Sequence, residues 1–288
     1  MALTQAALRL DVIDIVEGND PRNRPYTTTL TGAPGAAPDT LPVQDGDAWQ
    51  TGDIAEVVDA TVGNSLNLVL SVSTNTLTVT RDVGRVTRVG DYAGGELVRK
   101  NPRFSYDQID QALSAVLQEL NPRVFALLTE DIAYTTQDFY DVADTAMENV
   151  LSAWYLDDGD MRTPYYYYQT DPANDQPTLW LAGWGYSGTV HISYQRAYAA
   201  VTEMPDRLGG IMVAGSVYRL LGGSTVWATT DAGKRTDRTV QGGQEARDSY
   251  WFFREFTRLM DLERVYLMEQ IKRFPKDIRS QRSRRFRR

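Results

Sequence analysis

A chain of 288 residues, 42% hydrophobic and 24% charged, can bury an adequate core as one large domain or two modest ones. It has no cysteine and a single histidine, His191. That excludes disulfides, thiolate zinc sites, iron–sulfur clusters, cysteine nucleophiles and any two-histidine metal motif within one chain. The net charge of −8 is unevenly placed: Lys272 to Arg288 carry nine basic side chains against Asp277, a local +8, so residues 1–271 carry −16. An acidic body with a basic end usually marks a partner.

Residues 2–17 place Leu3, Ala7, Leu10, Ile13 and Val16 at helical spacing, which predicts a short amphipathic helix ending near Gly18. No basic region leads into an apolar stretch at this end, so no signal peptide is expected. No apolar run reaches the roughly 18 residues of a membrane helix. The expected compartment is the cytoplasm. Asn19 to Asp47 is rich in Pro, Gly, Thr and Asp and reads as a long surface loop. From about Asp53 the period changes to two. Leu66, Leu68, Leu70 and Val72, a Ser73-Thr74-Asn75 turn, then Leu77 and Val79 predict a hairpin. Glu96-Leu97-Val98-Arg99 adds a strand, giving a small β-domain over about residues 43–100.

Ser105 and Gln108 form a capping-box pattern. Ile109, Leu113, Val116, Leu117 and Leu120 then recur at helical spacing until Asn121-Pro122 stops the run. Residues 124–201 return to β character and predict a compact antiparallel sandwich. Two helices follow. One runs from about Pro205 to Leu221, with Gly222-Gly223 as its stop. The other runs from about Gln244 to Phe274 and is apolar on most sides, so it needs neighbours on most sides, some of them other subunits. Trp251, Phe252, Phe256 and Tyr266 are the expected subunit-interface residues.

The predicted class is α+β: a discontinuous helix bundle with an inserted small β-domain, a second antiparallel β-sandwich and an extended basic C-terminal tail. The predicted boundaries are a first bundle helix at 1–18, loop and inserted β-domain at 19–100, and a bundle helix at 101–123. A β-sandwich at 124–203, C-terminal bundle helices at 204–274 and the tail at 275–288 complete the chain.

The motifs with chemical possibilities read as structural. Gly183-Trp184-Gly185-Tyr186-Ser187-Gly188 matches G-x-G-x-x-G, but it leads into a strand, and a dinucleotide site needs the N-terminus of a helix. Asp157, Asp158 and Asp160 lack the rest of a calcium loop and read as a solvated turn. Tyr165 to Tyr168, with Trp180 and Trp184 near in sequence, alternate between strand faces, so only half can share a sugar-stacking platform. Core and subunit interface is the favoured reading. His191 sits in an alternating run, Thr189 to Tyr194, as a structural imidazole. No catalytic residue, cofactor or metal is expected.

Pro275 ends the last helix. Beyond it Lys276, Arg279, Arg282, Arg284, Arg285, Arg287 and Arg288 share the segment with only Ile278 and Phe286 as sizeable apolar residues. Such a segment cannot bury enough surface to fold alone, yet it attracts polyanions or acidic protein surfaces.

Over residues 66–122 the chain resembles the head-to-tail connector, or adaptor, proteins of long-tailed bacteriophages. The residues that carry this are Leu77-Thr78-Val79-Thr80-Arg81, a Gly84 turn, Gly94-Gly95-Glu96-Leu97-Val98, and Asn101-Pro102-Arg103-Phe104 leading into the capped helix. Asp82 stands where glycine is common in that pattern, and Asp91-Tyr92 near where a histidine often falls. The resemblance implies a dodecameric ring in the virion neck, assembled in the host cytoplasm, and no catalysed reaction. It would dock beneath the portal protein, bind a tail-side neck or tail terminator protein, and pass genomic DNA without sequence specificity. It involves no membrane. The basic tail residues would then contact portal or DNA. The alternative expectation is a tail-associated receptor- or glycan-binding β-sandwich module, and a glycoside hydrolase using the Asp157–Asp160 cluster is a third.

Overall fold

The computed structural model describes residues 3–17, 25–36, 39–59, 62–83, 91–135, 139–157, 160–170, 177–182, 188–231 and 244–274. The fold is mixed α+β, with four α-helices and antiparallel sheets among the described residues. In chain order the first elements are α1 (Gln5–Val16), β1 (Thr27–Thr29), β2 (Gly35–Ala36), β3 (Asp39–Pro42), β4 (Ile54–Val58), β5 (Ser65–Ser73), β6 (Thr76–Thr80), β7 (Leu97–Lys100) and α2 (Tyr106–Leu120). They are followed by β8 (Ala126–Tyr134), β9 (Phe139–Asp141), β10 (Asn149–Asp157), β11 (Asp160–Arg162), β12 (Tyr165–Thr170), β13 (Pro177–Ala182) and β14 (Gly188–Arg196), then α3 (Gly209–Asp231) and α4 (Gln244–Lys272). The described residues fall into two compact units, one within residues 4–116 and 212–255, the other within residues 117–211 and 256–274.

In the first unit the sheet runs β1-β7-β4-β5-β6-β3-β2. It curls, because Leu30 just after β1 bridges Val43 just after β3. The segment expected to be a loop therefore supplies three strands, and it buries Leu30, Leu41 and Val43 in the core. Its β-branched threonines at 27–29 and the alternate pair Leu41 and Val43 outweigh the Pro and Gly content.

The hairpin forms as expected, with Thr74-Asn75 as its turn. On β5 the faces are reversed, while Leu77 and Val79 of β6 are buried as the alternation predicts. Ser65, Asn67 and Val69 are buried while Leu70 is exposed and Leu66 half-buried. The concave side of a tightly curled sheet has room for small side chains, and its polar ones are satisfied. Asn67 Nδ2 donates to Ala55 O at 3.1 Å and to Ser65 Oγ at 3.0 Å, and the Tyr92 hydroxyl donates to Ser65 Oγ at 3.1 Å. Gly46 is where the chain crosses the hairpin turn. A Cβ there would lie 1.8 Å from Thr74 O, so only glycine fits.

α2 begins with both halves of the capping box: Gln108 N donates to Ser105 Oγ at 3.2 Å and Ser105 N to Gln108 Oε1 at 2.9 Å. Ile109, Leu113, Val116 and Leu120 are buried. α1 is tied to α2 by a two-bond fork from Arg9 to Asp110, at 3.0 and 2.7 Å. The same unit contains a buried ion cluster that sequence reading missed. Arg99 donates from Nη1 to Glu56 Oε2 at 2.6 Å and from Nη2 to Glu17 Oε1 at 2.8 Å. Its guanidinium also lies 4.5 Å above the Tyr106 ring.

α3 does not stop at Gly222-Gly223; it continues to Asp231. Gly222 serves packing: a Cβ there would meet Ser249 Oγ at 3.3 Å, and Ser249 Oγ donates to Tyr218 O at 3.2 Å. The missing side chain admits α4 at close range, and the Tyr218 and Phe253 rings pack 5.1 Å apart.

In the second unit β11-β10-β14-β8 form one antiparallel sheet and β12-β13-β9 another. They share a single buried cluster, in which Ile132, Val150, Val190 and Ile192 of the first meet Tyr140, Leu179 and Leu181 of the second. Val150 and Ser152 flank a bulge where β10 pairs β14.

Candidate assembly surface

Among the described residues, α4 carries a run of exposed apolar side chains. Ser249, Phe256, Met260, Glu263 and Leu267 are buried, at spacings of seven, four, three and four that trace one stripe. The remaining circumference mixes polar and apolar side chains. Tyr250 and Val265 are each 61% exposed and Trp251 58%, with Leu262, Tyr266, Met268 and Phe253 exposed as well. Arg254, Arg258, Asp261 and Glu269 are interspersed with them.

Two local arrangements hold these side chains in place. In the first unit, Trp251 and Phe252 meet edge to face at 4.8 Å. In the second, Arg207, from the 3₁₀ turn before α3, forms a fork with Glu263: Nε to Oε1 at 3.0 Å and Nη2 to Oε1 at 2.9 Å. The same guanidinium lies 4.5 Å above the Tyr266 ring and holds it against the helix. Tyr266 is thus an ordered exposed ring.

Of the interface residues expected from sequence, Trp251 and Tyr266 are exposed and Phe252 is half-buried. Phe256 is a correction. It is 3% exposed, on the stripe covered by its own chain, and cannot meet a neighbour. Tyr250, Phe253, Leu262, Val265 and Met268, of the same broad apolar helix, are exposed as well. Composition alone does not show which side is covered. Lys276, Arg279, Arg282, Arg284, Arg285, Arg287 and Arg288 lie outside the described residues.

The other candidate motifs separate. Residues 183–187 of the G-x-G-x-x-G match lie outside the described residues, between β13 and β14. Asp157 and Asp160 pair across the end of the β10–β11 hairpin, and Asp158 lies outside the described residues. Among the described residues no cluster of three His, Asp or Glu side chains is placed to hold a metal ion. No described helix is long and apolar enough to cross a membrane. His191 Nδ1 lies 2.6 Å from Asp131 Oδ1, and its ring packs 4.2 Å from Trp154. The imidazole thus has partners on two sides.

The tyrosine run alternates as a strand must. Tyr166 packs against the shared core and Tyr167 faces solvent. Register places Tyr167, Trp180 and Phe139 in one row across β12, β13 and β9. Tyr167 stacks on Trp180 at 5.0 Å and meets Phe139 edge to face at 6.4 Å.

No protein-family model matches the chain, and no curated protein or solved structure matches it.

Proposed function

We propose that the chain is a structural ring subunit in the neck of a long-tailed bacteriophage, joining the portal to the tail and letting DNA pass through the centre. The observation that carries this reading is the uncovered apolar face of α4. A monomer gains nothing by exposing Tyr250, Trp251, Leu262 and Val265, whereas neighbours around a ring would bury them. The resemblance over residues 66–122 supports the same reading. Its finer architecture is a discontinuous helix bundle, with the curled sheet as the inserted β-domain and the two smaller sheets as a sandwich.

In this reading the acidic body lets DNA slide, and the tail from Lys276 to Arg288 anchors to acidic groups of the portal protein. Several tails acting together turn a modest affinity per chain into strong avidity. A tail-side neck or tail terminator protein binds the opposite face, and the subunit catalyses no reaction. Negative-stain microscopy of the protein with portal tests this directly. A ring with a central channel is the expected image; a lone monomer at assembly concentration rejects the reading. A truncation ending at Phe274 tests the tail. Undiminished docking onto portal would exclude portal anchoring, and loss of docking at low and high salt alike would exclude DNA contact as its main role.

A second reading rests on the Phe139–Trp180–Tyr167 row. Exposed rings on a sheet can stack sugar faces, which would make the second unit a glycan-binding module on the tail. It predicts a trimer and glycan binding that Tyr167→Ala abolishes.

A further inference from the structure

The buried ion cluster of the first unit carries two carboxylates on one guanidinium. Arg99, Glu17 and Glu56 have side-chain exposures of 3%, 2% and 1%. With all three ionised, the group holds one surplus negative charge away from water, which is costly without a further cation or a proton. The other charged and titratable groups nearby offset it only in part. Arg9 forks onto Asp110 and lies 4.6 Å from the far side of the Tyr106 ring. Arg103 donates to Val16 O at 2.8 Å, and its charge and backbone N–H favour the ionised form of Glu17, though less than burial disfavours it. Asp107 of α2 adds negative charge and accepts from Asn64 at 2.6 Å.

The two acids are held unequally. Glu56 sits on β4 with both oxygens engaged, one by Arg99 and the other by Tyr106 N at 2.6 Å, where the start of α2 favours an anion. Glu17 caps the end of α1. One of its oxygens accepts from Arg99, while the other is buried without a partner. When the surplus charge must be relieved, Glu17 is the member that can leave.

We propose that the Glu17–Arg99–Glu56 cluster is a proton-operated latch, which fastens the C-terminal end of α1 while the pair of acids shares one proton and loosens it when that proton leaves. This inference is independent of the ring reading. Burial raises both acids: Glu17 above its ordinary range, and Glu56 from 4.5 to about 7 against the pull of Arg99. The pair titrates as a unit. The sign follows from linkage. A carboxyl with a raised folded-state pKa binds more protons folded than unfolded, so its contribution to stability falls as pH rises from 4.5 to about 7.

The test is amide hydrogen exchange of the full chain between pH 5 and pH 8, corrected for intrinsic exchange, with α2 as internal reference. In the wild type, protection of Ile13 to Val16 relative to Ile109 to Leu113 is expected to drop by roughly tenfold or more as pH rises. Glu17→Gln and Glu56→Gln each remove the surplus charge but keep an acceptor, so relative protection should be flat with pH and higher than wild type at pH 8. An ordinary stabilising ion pair gives the reverse: protection rising with pH, and weaker in both variants throughout. That result overturns the proposal. If neither variant folds, the wild-type urea midpoint decides. It must fall between pH 5 and 7, and a level or rising midpoint rejects the latch.

Discussion

The curled sheet of the first unit and the outer face of α4 treat side chains in opposite ways. The sheet encloses Ser65, Asn67, Glu56 and Arg99, and gives them partners. α4 leaves Tyr250, Trp251 and Val265 in water. The curled region buries its side chains within one chain, while the helix buries one stripe and exposes apolar side chains elsewhere on its surface. Polarity alone therefore does not sort inside from outside: a polar group is accepted inside when its bonds are made, and large apolar side chains can stand in water on the same helix that buries others.

Substitutions can break this contrast. Leu113→Ala, in the buried stripe of α2, should have the largest effect, costing about 3 kcal/mol in chemical denaturation. Gly46→Ala should cost about 2 kcal/mol, because its Cβ would strike Thr74 O and the turn must move. A Gly46→Ala protein as stable as wild type would show that this crossing is not tight. Ser105→Ala removes one half of the capping box and should cost about 1 kcal/mol, read from the urea midpoint. Trp251→Ala should change the stability of the monomer by no more than about 0.5 kcal/mol, since its ring is largely in water. Under the ring reading the same substitution should nonetheless prevent ring formation in size-exclusion chromatography. Equal effects of Leu113→Ala and Trp251→Ala on monomer stability would dissolve the contrast.

Signals confined to a few neighbouring residues were legible in the sequence. The capping box at Ser105 and Gln108, the helical stripe that follows and the turn at Thr74-Asn75 all depend on residues close in the chain. Errors arose where a distant element decided. Alternation at 65–72 gives two faces without saying which one the curl encloses. Gly222 looks like a helix stop until Ser249 of α4 is seen to occupy the space of its missing side chain. The strands at 27–29 and 39–42 are too short to stand out from their Pro and Gly surroundings, and gain their order from β7 and β6. The Glu17–Arg99–Glu56 cluster brings together three residues far apart in the chain, so no local pattern announces it. Its one local trace is Glu56 itself, an acid within the apolar strand Ile54-Ala55-Glu56-Val57-Val58. On α4 the excess of apolar residues was plain, but the covered side was not. That left Phe256 on the wrong list.

The curl of the large sheet has a consequence for crowding. Its outermost strands are β1, of three residues, and β2, of two. The Leu30–Val43 bridge also turns the β1 side back toward β3. Unpaired main-chain donors and acceptors along a strand are what allow one molecule to zip onto the next, and so short a rim offers little to zip. Copies held side by side at high local density can therefore meet through their side chains without fusing through their backbones.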